Sequence, residues 1–505
     1  MRDGDLNLQL VLRKYWVCFV AALLLSACEQ PPPQAIRFGL SSAVVTLDPR
    51  FATDASSSRL CRLIYDSLVR FDENFKPVPG LATWRVETPL RYIFTLEGSR
   101  SFHDGSPLTA ADVVATYQSI LDAATASPHR GSLSLIENIS ALDESQVLFE
   151  LTRAEPLFPG LLTIGVMSET QLHSGRDSNN TVIGSGPFRV SGKWTDKQVS
   201  LIRLHDEQIV RFETIRDPTV RALKLLNGEI DLLQGGMAPE IVAWLGRREG
   251  VTSQRYPGTT FTYLGMNLED EQLSEVRVRR ALALAINRDE IADHLFAGRA
   301  RLASSIFTPE HWVYHDGLTG LAYDPEQART ILNELGFNAK NPLRLTYKTS
   351  SDLFRLRVAT VLQDQLAKVN ILIDIQSFDW GTFYGDIKAG RFQLYSLSWV
   401  GLKLPDMFRY VFHSDAVPPE GANRGRFSSK VVDSFIERAE QAGSMEKRLE
   451  YYQDIQQQIL EELPYVPLWY EDHVVVRRDD IVGYSVGLDG NYDALATVRR
   501  ETGQD

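Results

Sequence analysis

Between residues 343 and 399 the hydrophobic period changes repeatedly. Leu343–Thr349 alternates apolar and polar residues like a half-buried strand, and Leu353–Lys368 carries helical spacing. Ile371–Gln376 alternates again, and Phe392–Trp399 supplies a further strand. Strand, helix, strand is a βαβ unit, which points to α/β architecture. The segment before it agrees. Phe261–Asn267 reads as a strand that leads through an acidic loop into a helix over Val276–Ile286, with Val278, Ala281, Leu282 and Ala285 on its apolar stripe. Asn287 caps a second helix, with Glu290 three residues on, and Gly298 can end it. Asp324 and Pro325 open another helix that Gly336 closes.

The chain has 505 residues, enough for two to four domains or two lobes of interleaved segments. It can bury a large core without staples. With 44% hydrophobic and 23% charged residues it is not broadly disordered. A net charge of −12 argues against nucleic acid as the main partner, because a phosphate backbone calls for a basic face. Ser101–Leu108 is turn-rich, and Thr109 with Asp112 predicts a capping box. In the helix that follows, Val113, Tyr117, Ile120 and Leu121 share a face. Val182–Val190 contains Gly184 and Gly186. It reads as a glycine turn entering a strand rather than a phosphate cradle, since Pro187 removes an amide.

The N-terminus reads as an address. Arg13 and Lys14 precede the apolar run Tyr15–Ala27, which is shorter than the about 20 residues of a membrane-spanning helix. The run ends in Leu25, Ser26, Ala27 and Cys28, which resembles the lipobox of bacterial lipoproteins. That resemblance implies a signal peptide over residues 1–27, cleavage before Cys28 and lipid on its sulfur. Glu29 at the next position fits an outer-membrane address if the cell has two membranes. Residues 28–35 then form a proline-rich tether. Processing removes Cys18 and lipid consumes Cys28, which leaves Cys61 as a small core residue and permits no intramolecular disulfide. No cysteine pair has metal-ligand spacing.

Six segments, taken in order, resemble the extracellular solute-binding proteins of family 5. They are Leu47–Pro49, Phe102–Val113, Gly184–Phe188, Val276–Arg288, Gly421–Arg424 and Pro464–Leu468. The family supplies the binding components of peptide, dipeptide and nickel ABC importers. The resemblance implies a two-lobed periplasmic-binding-protein fold of type II, in the peptide-binding subclass with an extra subdomain. On that pattern lobe I comprises residues 36–64, 184–286 and 470–505, the extra subdomain 65–183, and lobe II 287–469.

The implied function is capture of a peptide or peptide-like solute between the lobes and delivery to ABC permease and ATPase subunits. The implied protein is a lipid-anchored monomer of the cell envelope that needs no cofactor or metal and catalyses no reaction. A ligand-sensing receptor and a nickel-type metal-complex carrier share the fold. A secreted hydrolase fits less well, because neither G-x-S-x-G nor H-E-x-x-H occurs. His311 and His315 are four apart but follow Pro309 in an irregular stretch, which is poor ground for a metal pair.

The family pattern also nominates site residues. Counting on from the Leu47–Pro49 turn puts Thr53, Ala55 and Ser56 against ligand backbone. His129 stands where peptide binders carry a tyrosine, and Trp399 stands where they pack a tryptophan on the ligand. Three residues after that tryptophan, peptide binders place an aspartate that pairs with the peptide ammonium. Here the position is Leu402, followed by Lys403, with Asp406 as the nearest acid. A leucine cannot form the ion pair, which points to a blocked, acidic or apolar ligand. Asn423 is a further polar candidate near the cleft.

Overall fold

The computed structural model describes residues 34–173, 182–296, 298 and 300–501. The proposed signal peptide, Cys28 and most of the tether lie outside them. None of the described helices is long and apolar enough to cross a membrane.

Two long antiparallel strands organise the chain. Val251–Met266 has 16 residues and Tyr465–Arg478 has 14, and they pair along nearly their whole length. At one end Tyr465–Arg478 pairs with Leu232–Gln234, which leads into a sheet of Ile36–Leu40, Ile209–Thr214, Gln198–Arg203 and Phe188–Val190. At the other end Val251–Met266 pairs with Leu394–Trp399, followed by Leu343–Ser350 and Ile371–Phe378. The crossing pair therefore carries the chain twice between two lobes. It also bends, because the register shifts between Tyr256 and Thr260 and again between Thr262 and Tyr263. Gly258 permits the bend: a Cβ there would lie 2.2 Å from the Glu471 carbonyl oxygen.

The strand–helix–strand reading holds closely. Leu343–Ser350 and Ile371–Phe378 are parallel, joined by the helix Leu353–Ala367, whose first turn Asp352 caps. That helix buries Val358, Ala359, Leu362 and Leu366 in one core with Leu345, Ile373 and Trp469. The first lobe has its own core around Phe38, Phe212, Tyr484 and Tyr492. A third unit is a four-stranded antiparallel sheet in the order Ala82–Thr88, Arg91–Leu96, Gln146–Leu151, Ile136–Ala141. The helix Ala110–Leu121 covers it, with the expected capping box between Thr109 and Asp112. Their core joins Phe94, Tyr117, Phe149 and Phe158.

The cores shift the expected boundaries. Val278–Ala285 packs with the second lobe, not the first, because its stripe meets Leu332 and Leu345. Tyr470 likewise packs in the second lobe, whereas Val475 belongs to the first. The lobes thus divide within the crossing strands rather than at residues 286 and 470. The subdomain core runs from Leu68 to Val166, while Met167 already packs into the first lobe.

Candidate functional site

The three units meet around a cavity of about 510 Å³. The first lobe contributes one face of the helix Ala55–Ile64, started by the Asp54 side chain, which accepts from the Ser57 amide. Ser58, Cys61 and Arg62, and Tyr65 just past the helix end, line the cavity. Their spacing of three to four residues is that of a single helical face. The opposite face, with Leu60, Leu63 and Ile64, is core, and Cys61 and Tyr65 are buried in that same core where it borders the cavity. Arg62 is fixed by three hydrogen bonds to Asp493, at 2.8, 2.9 and 2.8 Å.

The subdomain contributes His129 and the stretch Gly160–Gly165. Ser127 holds the histidine turn, donating to the Arg50 carbonyl at 2.7 Å and accepting from the His129 amide at 3.2 Å. Burial lowers the His129 imidazole below its ordinary pKa, against the opposing pull of the Ala52 carbonyl. Gly160 lets the subdomain approach the second lobe, since a Cβ there would lie 2.8 Å from Leu404.

The second lobe contributes the loop that leaves the strand Leu394–Trp399. Trp399, Leu402, Lys403 and Asp406 all line the cavity. Leu402 is 6% exposed and is anchored in an aromatic core with Phe408, Phe427 and Tyr452. His311 pins the loop from beneath. Its Nδ1 accepts from the Val313 amide at 3.3 Å, so its Nε2–H donates to the Lys403 carbonyl, 3.1 Å away. Burial lowers the His311 pKa to about 4, so the ring is neutral and serves as a strut. Among the described residues no group of three or more His, Cys, Asp or Glu could hold a metal ion.

The nominated residues therefore divide. His129, Trp399 and Leu402 converge on one cavity. Thr53 and Ala55 are exposed and do not line it. Ser56 is turned into the fold, where its Oγ lies 2.9 Å from Ser42 Oγ. Counting from the Leu47–Pro49 turn gives positions but not the direction of side chains; the chain is helical from Ala55, and the helix turns a different face toward the cavity. Asn423 is buried as a scaffold: its side-chain NH₂ donates to the His413 and Phe427 carbonyls, and its oxygen accepts from the Phe427 amide. Its contribution is to place Arg424, which lies over Trp399.

Sequence reasoning missed the helix face Ser58, Cys61, Arg62, Tyr65, although the spacing was there to read. It also missed a second space of about 750 Å³ between the lobes, lined by Pro239, Glu240, Phe354 and Arg355. An ion pair between Glu240 and Arg357 spans the lobes at this second space.

Lys403 and Asp406 give the first cavity two electrostatically different regions. The Lys403 ammonium lies 3.8 Å from Asp489 and 5.4 Å from the Phe71 ring centroid. Asp406 also borders a side chamber of about 300 Å³ shared with Glu155. Burial, with a smaller contribution from the Glu155 charge, raises the Asp406 carboxyl to about 6.

Comparison with known proteins agrees with this architecture. Residues 76–416 match the family model described as bacterial extracellular solute-binding proteins, family 5, middle. Di/tripeptide-binding protein 2 of Pseudomonas aeruginosa is 27% identical, the match covering 92% of this chain and 94% of that protein. The dipeptide-binding protein of Escherichia coli is 26% identical, with 96% of each chain covered. Among solved structures, the ABC transporter substrate-binding protein CtaP of Listeria monocytogenes superposes with a TM-score of 0.82 at 23% identity, covering 93% of this chain and 100% of that one. DppA of Helicobacter pylori in complex with the peptide STSA gives 0.73 at 24% identity, covering 93% and 98%. With two lobes on a crossing strand pair, an added subdomain and a family match over most of its length, the chain belongs to the bacterial extracellular solute-binding proteins, family 5.

Proposed function

We propose that the chain is the solute-binding component of an ABC importer, which closes on a peptide or peptide-like solute and delivers it to a permease and its ATPase subunits. The observation that carries this reading is the cavity itself. It is formed where three units meet, beside a bent strand pair that can act as a hinge, and Trp399 offers an aromatic face to a ligand. A cleft of this kind excludes water on closure, strengthens polar contacts and couples binding to a hinge change. The di/tripeptide- and dipeptide-binding names of the relatives support a short peptide as the solute.

In this reading Cys28 carries lipid and the proline-rich segment lifts a monomeric body from the envelope membrane. No cofactor takes part and no bond is broken in the solute.

Native mass spectrometry of the purified protein tests the solute class. A co-purifying peptide-sized mass, released on denaturation, is the expected result, and a persistent non-peptide solute would overturn it. Small-angle scattering with that solute is expected to show a smaller radius of gyration. Labelled palmitate incorporation that disappears in Cys28→Ala is expected for the anchor, and no incorporation by the wild type would remove it.

A further inference from the structure

The charged groups around the cavity are unequally satisfied. Arg62 is held by Asp493 through three short hydrogen bonds. Lys403 has no comparable partner. Its ammonium pairs only loosely with Asp489, at 3.8 Å. Asp489 is itself engaged, accepting from the Asn491 amide at 3.1 Å and from the Asn491 side chain. Phe71 offers only its ring face. Yet Lys403 is not a freely solvated surface lysine: 28% of its side chain is exposed, and the residue lines the cavity.

The surroundings sharpen the imbalance. Burial pulls the Lys403 pKa down and Arg62 adds to the effect, against the opposing charges of Asp489 and Asp493. The neighbouring residue is Leu402, anchored in apolar core, so it supplies no counter-charge. Asp406, the acid that this loop contributes to the cavity wall, borders the side chamber with Glu155. His311 holds the loop backbone at the Lys403 carbonyl.

We infer that Lys403 is a specificity-determining residue that receives an anionic group of the solute, a carboxylate, within this cavity. The inference rests on the peptide reading above and narrows it: the solute presents a carboxylate to the loop after Trp399. A carboxylate supplies closer hydrogen-bond acceptors than the loosely paired Asp489 does, and closure strengthens the pair by removing water. On a peptide that carboxylate is either the C-terminus or an acidic side chain.

Calorimetry with three probes separates these cases: trialanine, trialanine amide, and alanyl-glutamyl-alanine amide. The wild type is expected to prefer at least one carboxylate-bearing probe over trialanine amide by roughly tenfold or more. Preference for trialanine identifies the C-terminus, and preference for the glutamyl amide identifies a side chain. Lys403→Met is expected to abolish the preference and Lys403→Arg to retain it. Equal binding of all three probes by the wild type, or a preference that survives in Lys403→Met, overturns the inference while leaving the peptide reading intact. If no probe binds and no peptide co-purifies, the peptide reading itself falls. The wild-type comparison needs no variant, so a misfolded Lys403→Met does not blunt the test.

Discussion

The guanidinium carbon of Arg424 lies 4.6 Å from the centroid of the Trp399 ring. The same guanidinium donates to the Tyr263 hydroxyl at 3.1 Å and the Tyr384 hydroxyl at 3.3 Å. One face of the indole is thus backed by a fixed cation, which orients a cavity-lining ring. A double-mutant cycle over Arg424→Met and Trp399→Phe is expected to show a coupling energy of about 0.5–2 kcal/mol in thermal unfolding. Additive effects would mean that the cation does not hold the indole.

Gly184 presses on the helix that carries the first-lobe face of the cavity. A Cβ at Gly184 would lie 1.9 Å from the Ile64 carbonyl oxygen. That oxygen already accepts from the Gly186 amide at 2.8 Å. Gly184→Ala must therefore move backbone, and is expected to cost at least the about 1–3 kcal/mol of ordinary overpacking. Gly385 is the contrast: it lies within the helix Trp380–Lys388, and a Cβ there meets nothing within 4 Å. Gly385→Ala is expected to stabilise by about 0.5–1 kcal/mol. Denaturant melts of both variants check the pair, and a tolerated Gly184→Ala would show that the helix end can yield.

These cases show what the sequence could and could not reveal. The βαβ unit was legible because its helix and strands carry their period locally, and the caps at Asn287 and Asp324 appear where expected. The glycine turn at Gly184 was legible as a turn, but not as a close approach to Ile64, because that contact joins residues 120 positions apart. Phe261–Asn267 was legible as a strand, whereas its extension back to Val251 was not: Pro257 and Gly258 interrupt the strand pattern, and Gly258 lets the strand approach Glu471 at the bend. At the site, Trp399, Leu402 and His129 came from the family pattern. Thr53, Ala55, Ser56 and Asn423 are not among the residues that line this cavity, because backbone direction decides which side of an element faces it, and direction depends on packing.

Asp231 provides a pH test of the first lobe. Its carboxylate has no exposed side-chain surface and accepts from the Arg37 side chain at 2.7 and 3.0 Å and from the Arg37 amide at 2.8 Å. Arg500 adds a contact at 2.9 Å. Burial alone would raise its pKa, but Arg37 and then Arg500 pull it below the ordinary carboxylate range. A depressed acid contributes stability above its unfolded value, about 3.9, and that contribution is lost as pH falls through the lower folded value. Asp231→Asn is expected to cost about 1–3 kcal/mol at pH 7 and to make unfolding less sensitive to pH below about 4. Parallel acid dependence in both proteins would exclude this carboxylate from acid unfolding.

Asp406 carries the opposite sign. Its carboxyl is raised to about 6, with burial the larger cause and Glu155 the smaller. Glu155 is itself held in place, accepting from the Leu157 amide at 3.1 Å and lying 3.8 Å from Arg448. An acid whose folded pKa exceeds its unfolded one opposes folding as it ionises. The penalty is absent below about pH 4 and grows as pH rises toward 6. Asp406 is open to the cavity, so solvent screens the effect and about 1 kcal/mol is an upper expectation. Asp406→Asn should match the wild type in thermal unfolding near pH 4 and exceed it slightly at pH 7. Glu155→Gln removes only the smaller cause. The Asp406 carboxyl should then titrate at a lower midpoint that still lies above the ordinary carboxylate value, as followed by carbon-13 NMR of labelled side chains. A midpoint that returns fully to the ordinary value would make Glu155, rather than burial, the main cause. An unchanged midpoint would mean that the two carboxylates do not sense one another across the junction of subdomain and second lobe.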